Sequence, residues 1–244
     1  MKNHLATIIV GIMCTSFTLI PNKEKTPAGL EAVLPHILAE ATPGLEENVM
    51  AIYQALDLAH HQLSFDAFRY AFSGYENLHE KQQLGPKEIL SICDFSQPSN
   101  QKRLYIIDIE NRKLLRQTYV AHGKNSGKVY ATHFSNQPES LESSLGFYVT
   151  ANTYIGKHGL SLRIKGVDKG FNDHAYERTI VIHGAAYVDA ARAKAGIFMG
   201  RSWGCPAVPK NESTAIINTI KNGTCFFIYA PQQNYLTNST ILND

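Results

Sequence analysis

The strongest restriction on the fold is a series of short β-prone runs after Leu90 with no helical pattern between them. Loops rich in Ser, Asn and Gly separate the runs, which are LYIIDI (104–109), LLRQTYVAHG (114–123), GFYVT (146–150), SLRIKG (161–166), TIVIHG (179–184) and TCFFIYA (224–230). The polar ENRK turn joins the first two as a hairpin. Parallel strands need a crossover connection, which is usually a helix. We therefore expect a mainly β domain with mainly antiparallel strands.

Helical periodicity is found in three other stretches. From Glu46 onward, apolar residues recur at spacings of three and four, as on one helical face: Val49, Ile52, Tyr53, Leu56, Ala59 and Leu63. A second helix is predicted from its N-cap Ser64 to Gly85-Pro86, with Asp66 in its first turn and an aromatic stripe of Phe65, Phe68, Phe72 and Tyr75. A late helix is predicted with Asn211 as its cap, Gly223 at its end, and Ile216, Ile217 and Ile220 on its apolar side.

The first 21 residues predict an export signal. Lys2 and His4 precede an apolar run over residues 5–20, which is shorter than the roughly 20 residues of a typical membrane-spanning helix. No A-x-A cleavage pattern ends the run, so retention as an anchor is the alternative. We expect an exported protein of the periplasm or cell envelope that touches the membrane only through this segment.

Composition divides the chain into five parts: a signal peptide or anchor (1–21), a Pro-rich linker (22–45), a helical segment packed on the following domain (46–87), the β-rich domain (88–231) and a polar tail expected to be frayed (232–244). The 23 Lys and Arg residues against 21 Asp and Glu give a formal charge of only +2. This balance lacks the basic footprint of a nucleic-acid-binding protein, so we expect no nucleic-acid partner.

The densest chemical signal lies between His183 and Pro209. His183 ends a predicted strand, and Cys205 lies in a Gly-Cys-Pro turn before the late helix. Glycine allows close backbone approach, successive amides of such a turn can form an oxyanion hole, and a neighbouring imidazole can lower a thiol pKa from about 8.5. We interpret Cys205 as the nucleophile of an acyl transfer and His183 as its base. An inert buried thiol and a core histidine remain the alternatives on spacing alone.

The other cysteines carry less information. Cys14 is lost if the signal is cleaved, and Cys93 and Cys225 both lie in apolar runs. These two either form a disulfide or are separate buried thiols that behave as small hydrophobic residues, and we favour the second interpretation.

Two motifs, IHGAAYV (182–188) and GRSWGCPAVP (200–209), resemble the L,D-transpeptidase catalytic (YkuD-like) family, in its branch of murein L,D-transpeptidase catalytic domain proteins. Further segments resemble that branch in the same order, so about residues 88–230 are covered: LSICDFSQPSNQKRLYIIDI, VAHGKNSGKVYATHFSN, SSLGFYVTANTYIGKHGLSLRIKGVDKGFND and IKNGTCFFIY. The resemblance implies a mainly β fold, a β-sandwich of the L,D-transpeptidase type, with a small N-terminal helical segment and a late helix after the nucleophile loop.

The resemblance also implies roles for individual residues. Cys205 matches the nucleophile, His183 the base, the Gly184 carbonyl the group that orients the imidazole, and Ser202 the Ser/Thr that opens the motif. The N–H groups of Trp203, Gly204 and Cys205 match the oxyanion donors. The implied reaction is attack on the carbonyl that joins the third residue of a peptidoglycan stem peptide to its D-alanine. The thioester formed is then resolved by an amine of a second stem or by water.

No metal and no organic cofactor are implied, and β-lactams, carbapenems above all, are the implied covalent inhibitors. Two departures from the wider family alter the expectations. Trp203 stands where a second histidine is usual, and Pro206 and Ala207 replace the usual polar residues. The basic candidates for binding a substrate carboxylate are then Arg201, Arg163 and His158, each with a solvated surface charge as its alternative. We favour Arg201 because it lies on the nucleophile loop.

Two other classes of function remain open. A zinc-dependent wall peptidase requires His158, His174 and His183 to converge, although no H-E-x-x-H motif is present. A catalytically idle wall-binding module would keep the fold alone. The transpeptidase hypothesis predicts alkylation of Cys205 well below the pKa of a free thiol, the zinc hypothesis predicts sensitivity to chelators, and the idle module predicts an unreactive thiol.

Overall fold

The computed structural model describes residues 43–243 of the chain. Its strands are β1 (Ile89–Asp94), β2 (Leu104–Asp108), β3 (Lys113–Thr118), β4 (Gly146–Gly156), β5 (Gly159–Gly166), β6 (Val181–Ala185), β7 (Ala207–Pro209) and β8 (Cys225–Tyr229). Its helices are α1 (Pro43–Ala55), α2 (Phe65–Glu80), α3 (Ala190–Lys194), α4 (Ser213–Ile220), α5 (Gln233–Asn238) and α6 (Thr240–Asn243). None of these helices is long and apolar enough to span a membrane. The predicted signal, Cys14 and most of the predicted linker lie outside the described residues.

The strands form one mixed sheet of eight strands in the order β3-β2-β1-β8-β4-β5-β6-β7. Five of the seven neighbouring pairs are antiparallel, and only β1 with β8 and β6 with β7 are parallel. An antiparallel bridge joins Ala207 of the edge strand β7 to Ala121, which follows the opposite edge strand β3. The sheet is therefore nearly closed, and the predicted mainly β fold is confirmed.

The pleat of β5 and β6 separates the core from the face that carries His183. Leu162 and Ile182 are direct partners in the ladder and are fully buried in the core. The next pair along the strands is Ser161 with His183. Because successive side chains of a strand point to opposite faces, His183 projects away from that core. Helix α4 packs behind β6, where a Cβ on Gly184 would lie 2.6 Å from Ser213 Oγ.

Helix α2 confirms its predicted start and packs closely on the sheet. The Ser64 side chain caps the helix by accepting a hydrogen bond from the Ala67 N–H. A Cβ on Gly74 would lie 2.1 Å from Phe147 Cζ, so this glycine allows α2 to approach β4. The helix ends at Glu80, before the Gly85-Pro86 stop that the sequence suggested.

Helix α1 differs from its prediction at both ends. It begins at Pro43, inside the predicted linker, and ends at Ala55 instead of continuing to Leu63. The chain then turns through Asp57, whose φ is 49°, and Leu58 and Leu63 are buried from this irregular segment. Apolar spacing cannot distinguish a continuing helix from a turn that buries the same residues.

Helix α4 is present as predicted, but Asn211 is not its cap. The N-cap is Glu212, which has helical backbone angles and makes no side-chain capping bond. The Ser213 hydroxyl instead donates to the Lys210 carbonyl at 2.9 Å. The helix ends at Ile220, and Gly223, with a φ of 94°, follows two residues after the C-cap Lys221.

The polar tail is ordered, so the expectation of fraying was wrong. Helices α5 and α6 bury Tyr235 and Ile241. The Tyr235 hydroxyl donates to Asp168 Oδ2 at 3.0 Å, and the Ser239 hydroxyl donates to the other oxygen of the same buried carboxylate. The Asp168 carboxylate, which is far away in the sequence, thus orders a C-terminal segment whose polar composition is typical of a frayed terminus.

The two apolar-run cysteines are separate buried thiols, as favoured above. Cys93 and Cys225 are both free and fully buried. In the parallel ladder of β1 and β8, Cys93 pairs with Ile228 and Cys225 pairs with Leu90, so the two residues are out of register.

Candidate active site

His183 lies on β6, and Cys205 lies in the bend that leads into the adjacent strand β7. Cys205 is two residues before β7, which runs parallel to β6 with Ala207 opposite His183. The Cys205 sulfur accepts a hydrogen bond from the Val181 N–H at 3.4 Å, and its S–H donates weakly to the Thr179 carbonyl at 3.9 Å. The loop that carries Cys205 is thereby held to the start of the strand on which His183 lies.

The imidazole of His183 is held by a hydrogen bond at one ring nitrogen and by stacking against one ring face. Its Nδ1 lies 3.1 Å from the Gly184 carbonyl oxygen. A carbonyl can only accept, so Nδ1 carries the hydrogen and the neutral ring has its lone pair on Nε2. The ring of His158 stacks on that of His183 with centroids 4.1 Å apart and an interplanar angle of 20°. His183 is thus oriented by the backbone contact that the sequence predicted.

The surroundings of His183 and of Cys205 disfavour the charged form of each group. Burial lowers the pKa of His183, and the nearby His158 and Lys157 act in the same direction against the Gly184 hydrogen bond. Burial raises the pKa of the Cys205 thiol, although the Val181 N–H and the Arg178 and Lys157 charges oppose the shift. The predicted lowering of the thiol pKa by His183 is therefore wrong in direction, because the loss of hydration outweighs the stabilising contacts.

The loop that carries Cys205 depends on Gly204. Its φ is 111°, and an added Cβ would lie 2.6 Å from the Glu142 carbonyl oxygen. The Gly204 N–H donates to the buried Ser202 hydroxyl at 3.3 Å, and the Gly204 carbonyl accepts from the Ser143 hydroxyl at 3.2 Å. The Gly204 N–H is thus already hydrogen-bonded within the loop. The N–H groups of Trp203 and Cys205 remain as the candidate oxyanion donors.

Arg178 supports the loop from one side, a contact that the sequence gave no means to predict. Its guanidinium donates to the carbonyls of Ser135 and Glu142, both at 2.7 Å, and to the hydroxyl of Ser140 at 3.1 Å. These bonds hold the segment that contacts Gly204. The Arg178 charge also favours the Cys205 thiolate. Arg178 therefore both holds the segment that contacts Gly204 and opposes the rise in the pKa of the Cys205 thiol.

A buried Arg103 and His122 pair supports the loop from the other side. Arg103 Nη2 lies 2.7 Å from His122 Nδ1, and its Nε and Nη2 donate to the Val120 carbonyl at 3.2 and 3.0 Å. Burial and the Arg103 charge lower the pKa of His122 to about 3, so the ring stays neutral and accepts from the guanidinium. The His122 carbonyl in turn accepts from the Ser202 N–H at 3.2 Å.

The three predicted carboxylate-binding residues have different surroundings. His158 stacks on His183, and Arg163 places its guanidinium carbon 4.4 Å from the centre of the Tyr154 ring. Arg201 is exposed, and its charge opposes the rise in the pKa of Tyr187 to about 12 that burial causes. Roles for all three in substrate binding stay predictions.

Lys157 is a basic residue at the site that the sequence analysis missed. Strand β4 extends to Gly156 and β5 begins at Gly159, so Lys157 and His158 form a hairpin turn. Lys157 Nζ lies 5.1 Å from the centre of the Trp203 ring, which is 67% exposed. The flanking glycines in IGKHG were the available signal, because glycine favours such turns.

The described residues contain no group of three His, Cys, Asp or Glu side chains placed to hold a metal ion. His158 and His183 come together, whereas the His174 backbone N–H donates to Asn136 in a different loop. A cavity of about 440 Å³ lies elsewhere, between the 132–136 segment and the α5 region, and includes neither Cys205 nor His183.

Alkylation by iodoacetamide as a function of pH will report the ionisation of Cys205. We expect a midpoint above that of free cysteine, because burial raises the pKa of this thiol. Loss of the Arg178 charge in Arg178→Gln should move the midpoint higher, whereas Arg178→Lys and the α2 control Arg69→Gln should retain it. In Cys205→Ala, no label should appear on residues 43–243, because Cys93 and Cys225 are fully buried, and peptide mapping separates any label on Cys14. A wild-type midpoint well below that of free cysteine would contradict the raised thiol pKa.

Comparisons with known proteins found similar solved structures and one matching family model. Similar solved structures include an L,D-transpeptidase from Mycobacterium smegmatis, with 12% identity, a TM-score of 0.36 and a match over 59% of each chain. The helical cell shape determining protein Pgp2 (K307A mutant) from Campylobacter jejuni has 14% identity, a TM-score of 0.39 and coverage of 66% of this chain and 57% of that one. The L,D-transpeptidase LdtMt1 in complex with imipenem has 10% identity, a TM-score of 0.37 and coverage of 59% of each chain.

The match thus spans less than two thirds of the length of these three solved chains. No curated protein matches the sequence. The family model of the L,D-transpeptidase catalytic domain matches residues 59–229, which include most of the helical segment together with the whole sheet. By this match the chain belongs to the L,D-transpeptidase catalytic domain family.

Proposed function

We propose that this protein is a cysteine-dependent L,D-transpeptidase that acts on the stem peptides of peptidoglycan. The observation that carries the proposal is the placement of His183 on β6 and of Cys205 two residues before the adjacent strand β7, with the Gly184 carbonyl orienting the imidazole. Family membership supplies the substrate class. The predicted export to the periplasm or cell envelope is part of the proposal, because peptidoglycan lies outside the cytoplasmic membrane.

The first half-reaction forms a thioester. The Cys205 side chain turns from the Thr179 carbonyl toward His183, and Nε2 takes the thiol proton as sulfur attacks the carbonyl of the third stem residue. The amides of Trp203 and Cys205 receive the developing oxyanion. Collapse of the tetrahedral intermediate breaks the bond to D-alanine, whose nitrogen takes the proton from His183.

The second half-reaction releases the acyl group. An amine of a second stem, or water, attacks the thioester while His183 accepts its proton, and the thiol leaves and is reprotonated. An amine gives a cross-link and water gives a shortened stem, so transpeptidation and carboxypeptidation are two outcomes of one intermediate. The acceptor that reaches the thioester first decides between them.

Product analysis by mass spectrometry tests this function. Purified disaccharide tetrapeptides incubated with the protein should lose D-alanine and yield either a tripeptide or a cross-linked dimer. The yield should be unchanged by EDTA, because no step uses a metal. Loss of turnover on chelation would support the zinc peptidase, and binding without any product would support the idle wall-binding module.

Carbapenems should acylate Cys205. One similar solved structure is an L,D-transpeptidase in complex with imipenem, and we propose carbapenems as inhibitors here from family membership and the nucleophile. Attack by sulfur on the β-lactam carbonyl breaks the ring amide bond and retains the whole drug, so intact mass should increase by one imipenem. An adduct of equal yield on Cys205→Ser would contradict the assignment.

A further inference from the structure

The family assignment leaves one recognition problem unsolved, since the polar residues that usually follow the cysteine are replaced by Pro206 and Ala207. Both residues are buried, so neither can meet a ligand. Any charge that binds a substrate carboxylate beside Cys205 must therefore come from another residue. The β4–β5 hairpin reaches the site, because its turn residue His158 stacks on His183.

The turn places a cation and an apolar surface next to each other at the site. Lys157 Nζ lies over the indole of Trp203, and Trp203 precedes Cys205 by two residues in the nucleophile loop. Both side chains are exposed to solvent. Lysine carries three N–H donors on a flexible stem, so the ammonium can bind an anion while its methylenes stay on the ring.

We propose that Lys157 is a specificity-determining residue that binds a carboxylate of the stem peptide next to the scissile bond, with Trp203 as the apolar floor of that subsite. The inference rests on the proposed function. The leaving D-alanine has the appropriate chemistry, because a single carbon separates its carboxylate from the leaving nitrogen and carries a methyl group that can contact the indole. A side-chain carboxylate on the third stem residue is the other source of the same chemistry.

The local electrostatics agree with this placement. Burial lowers the pKa of His158 and of His183, and the Lys157 charge adds to both shifts. The same charge opposes the rise in the pKa of the Cys205 thiol that burial causes. One ammonium therefore acts on every titratable group of the dyad and its stacked neighbour. A substrate carboxylate bound there would neutralise this charge and favour the imidazolium that forms when His183 takes the thiol proton.

The test compares a tetrapeptide stem that ends in a free carboxylate with the same stem ending in a carboxamide. Wild type should prefer the free acid by about tenfold in kcat/KM, the size of one hydrogen bond to a charged group. Added salt should reduce this preference, because the subsite is exposed and screened. Lys157→Gln should remove the preference, Lys157→Arg should keep it, and the distant β3 variant Lys113→Gln should match the wild type.

A second substrate pair distinguishes the two carboxylates. The second pair consists of stems with and without a side-chain carboxylate on the third residue. If Lys157 binds this side-chain carboxylate, wild type should prefer the stem that has it, and Lys157→Gln should lose that preference. An unchanged preference in Lys157→Gln for both pairs would overturn the inference, as would a preference lost in Arg201→Ala and kept in Lys157→Gln. If wild type turns over none of these peptides, the proposed function fails and the inference fails with it.

Discussion

Replacing the Cys205 thiol by a hydroxyl should lower kcat/KM for a tetrapeptide stem by at least about a thousandfold, as loss of a catalytic nucleophile does in comparable enzymes. Serine has nearly the same shape, so the contacts with Val181 and Thr179 can persist. A hydroxyl is a much weaker nucleophile than a thiol, and the single imidazole here lacks a carboxylate partner to strengthen it. Steady-state kinetics on purified stems, with a thermal melt for each variant, will measure the loss.

The matched control is another cysteine of the same domain. Cys93→Ala removes a fully buried thiol from β1 and should lower the melting temperature while leaving kcat/KM near the wild-type value. Cys205→Ser should show the opposite pattern, with its melting temperature preserved and its activity lost. A Cys205→Ser enzyme with more than about a tenth of wild-type activity would exclude thiol chemistry at this position.

Removing the base should have the second largest effect. His183→Gln retains a polar side chain of similar length but cannot accept the thiol proton, so we expect kcat/KM to fall by about 10²- to 10⁴-fold. His60→Gln, at an exposed position in the turn after α1, is the matched control and should leave activity unchanged. Equal activity of His183→Gln and wild type would show that the proton leaves by another route.

The pH dependence of wild-type kcat/KM follows from the shifts of the dyad. The active form of His183 is neutral, and burial lowers its pKa from 6.5 because desolvation disfavours the imidazolium. The base therefore stays available to a lower pH than free histidine, and activity should fall only below pH 6.5. Since burial raises the pKa of Cys205, the thiol remains protonated through neutral pH and gives up its proton during attack. An acid limb centred above pH 6.5 would contradict this picture.

Local sequence signals predicted the parts of the fold that depend on neighbouring residues. The Ser64 cap, a strand through His183 and the apolar side of α4 follow from residues a few positions apart, and the structure contains all three. His183 does not end its strand as predicted, because β6 continues to Ala185. The end of α1 could not be predicted in this way, because Leu58 and Leu63 are buried by tertiary packing of a turn. The ordered tail depends on Asp168, far away in sequence, so composition alone suggested fraying.

In the candidate site, too, the features that depend on neighbouring residues were predicted and those that depend on distant segments were not. Cys205 and His183 were expected from the 183–209 segment, and the Gly184 carbonyl from the family resemblance. His183 and Gly184 lie on β6, and Cys205 lies two residues before the adjacent strand β7. The donors and charges that other segments supply were missed: Arg178 comes from the turns before β6, and Lys157 from a hairpin that the strand predictions stopped short of. The thiol pKa was mispredicted for a related reason, since burial is set by the whole fold whereas the motif shows only the partners.

The central claim is that the Cys205 sulfur carries the acyl group between two chemical steps. Intact-mass analysis of the enzyme quenched during turnover of a tetrapeptide stem, followed by peptide mapping, tests it most directly. We predict a population heavier by the acylated stem without its D-alanine, with the added mass on the peptide that contains Cys205, and no such species in Cys205→Ala. Turnover that proceeds with no adduct on this peptide, and continues in Cys205→Ala, would contradict the claim.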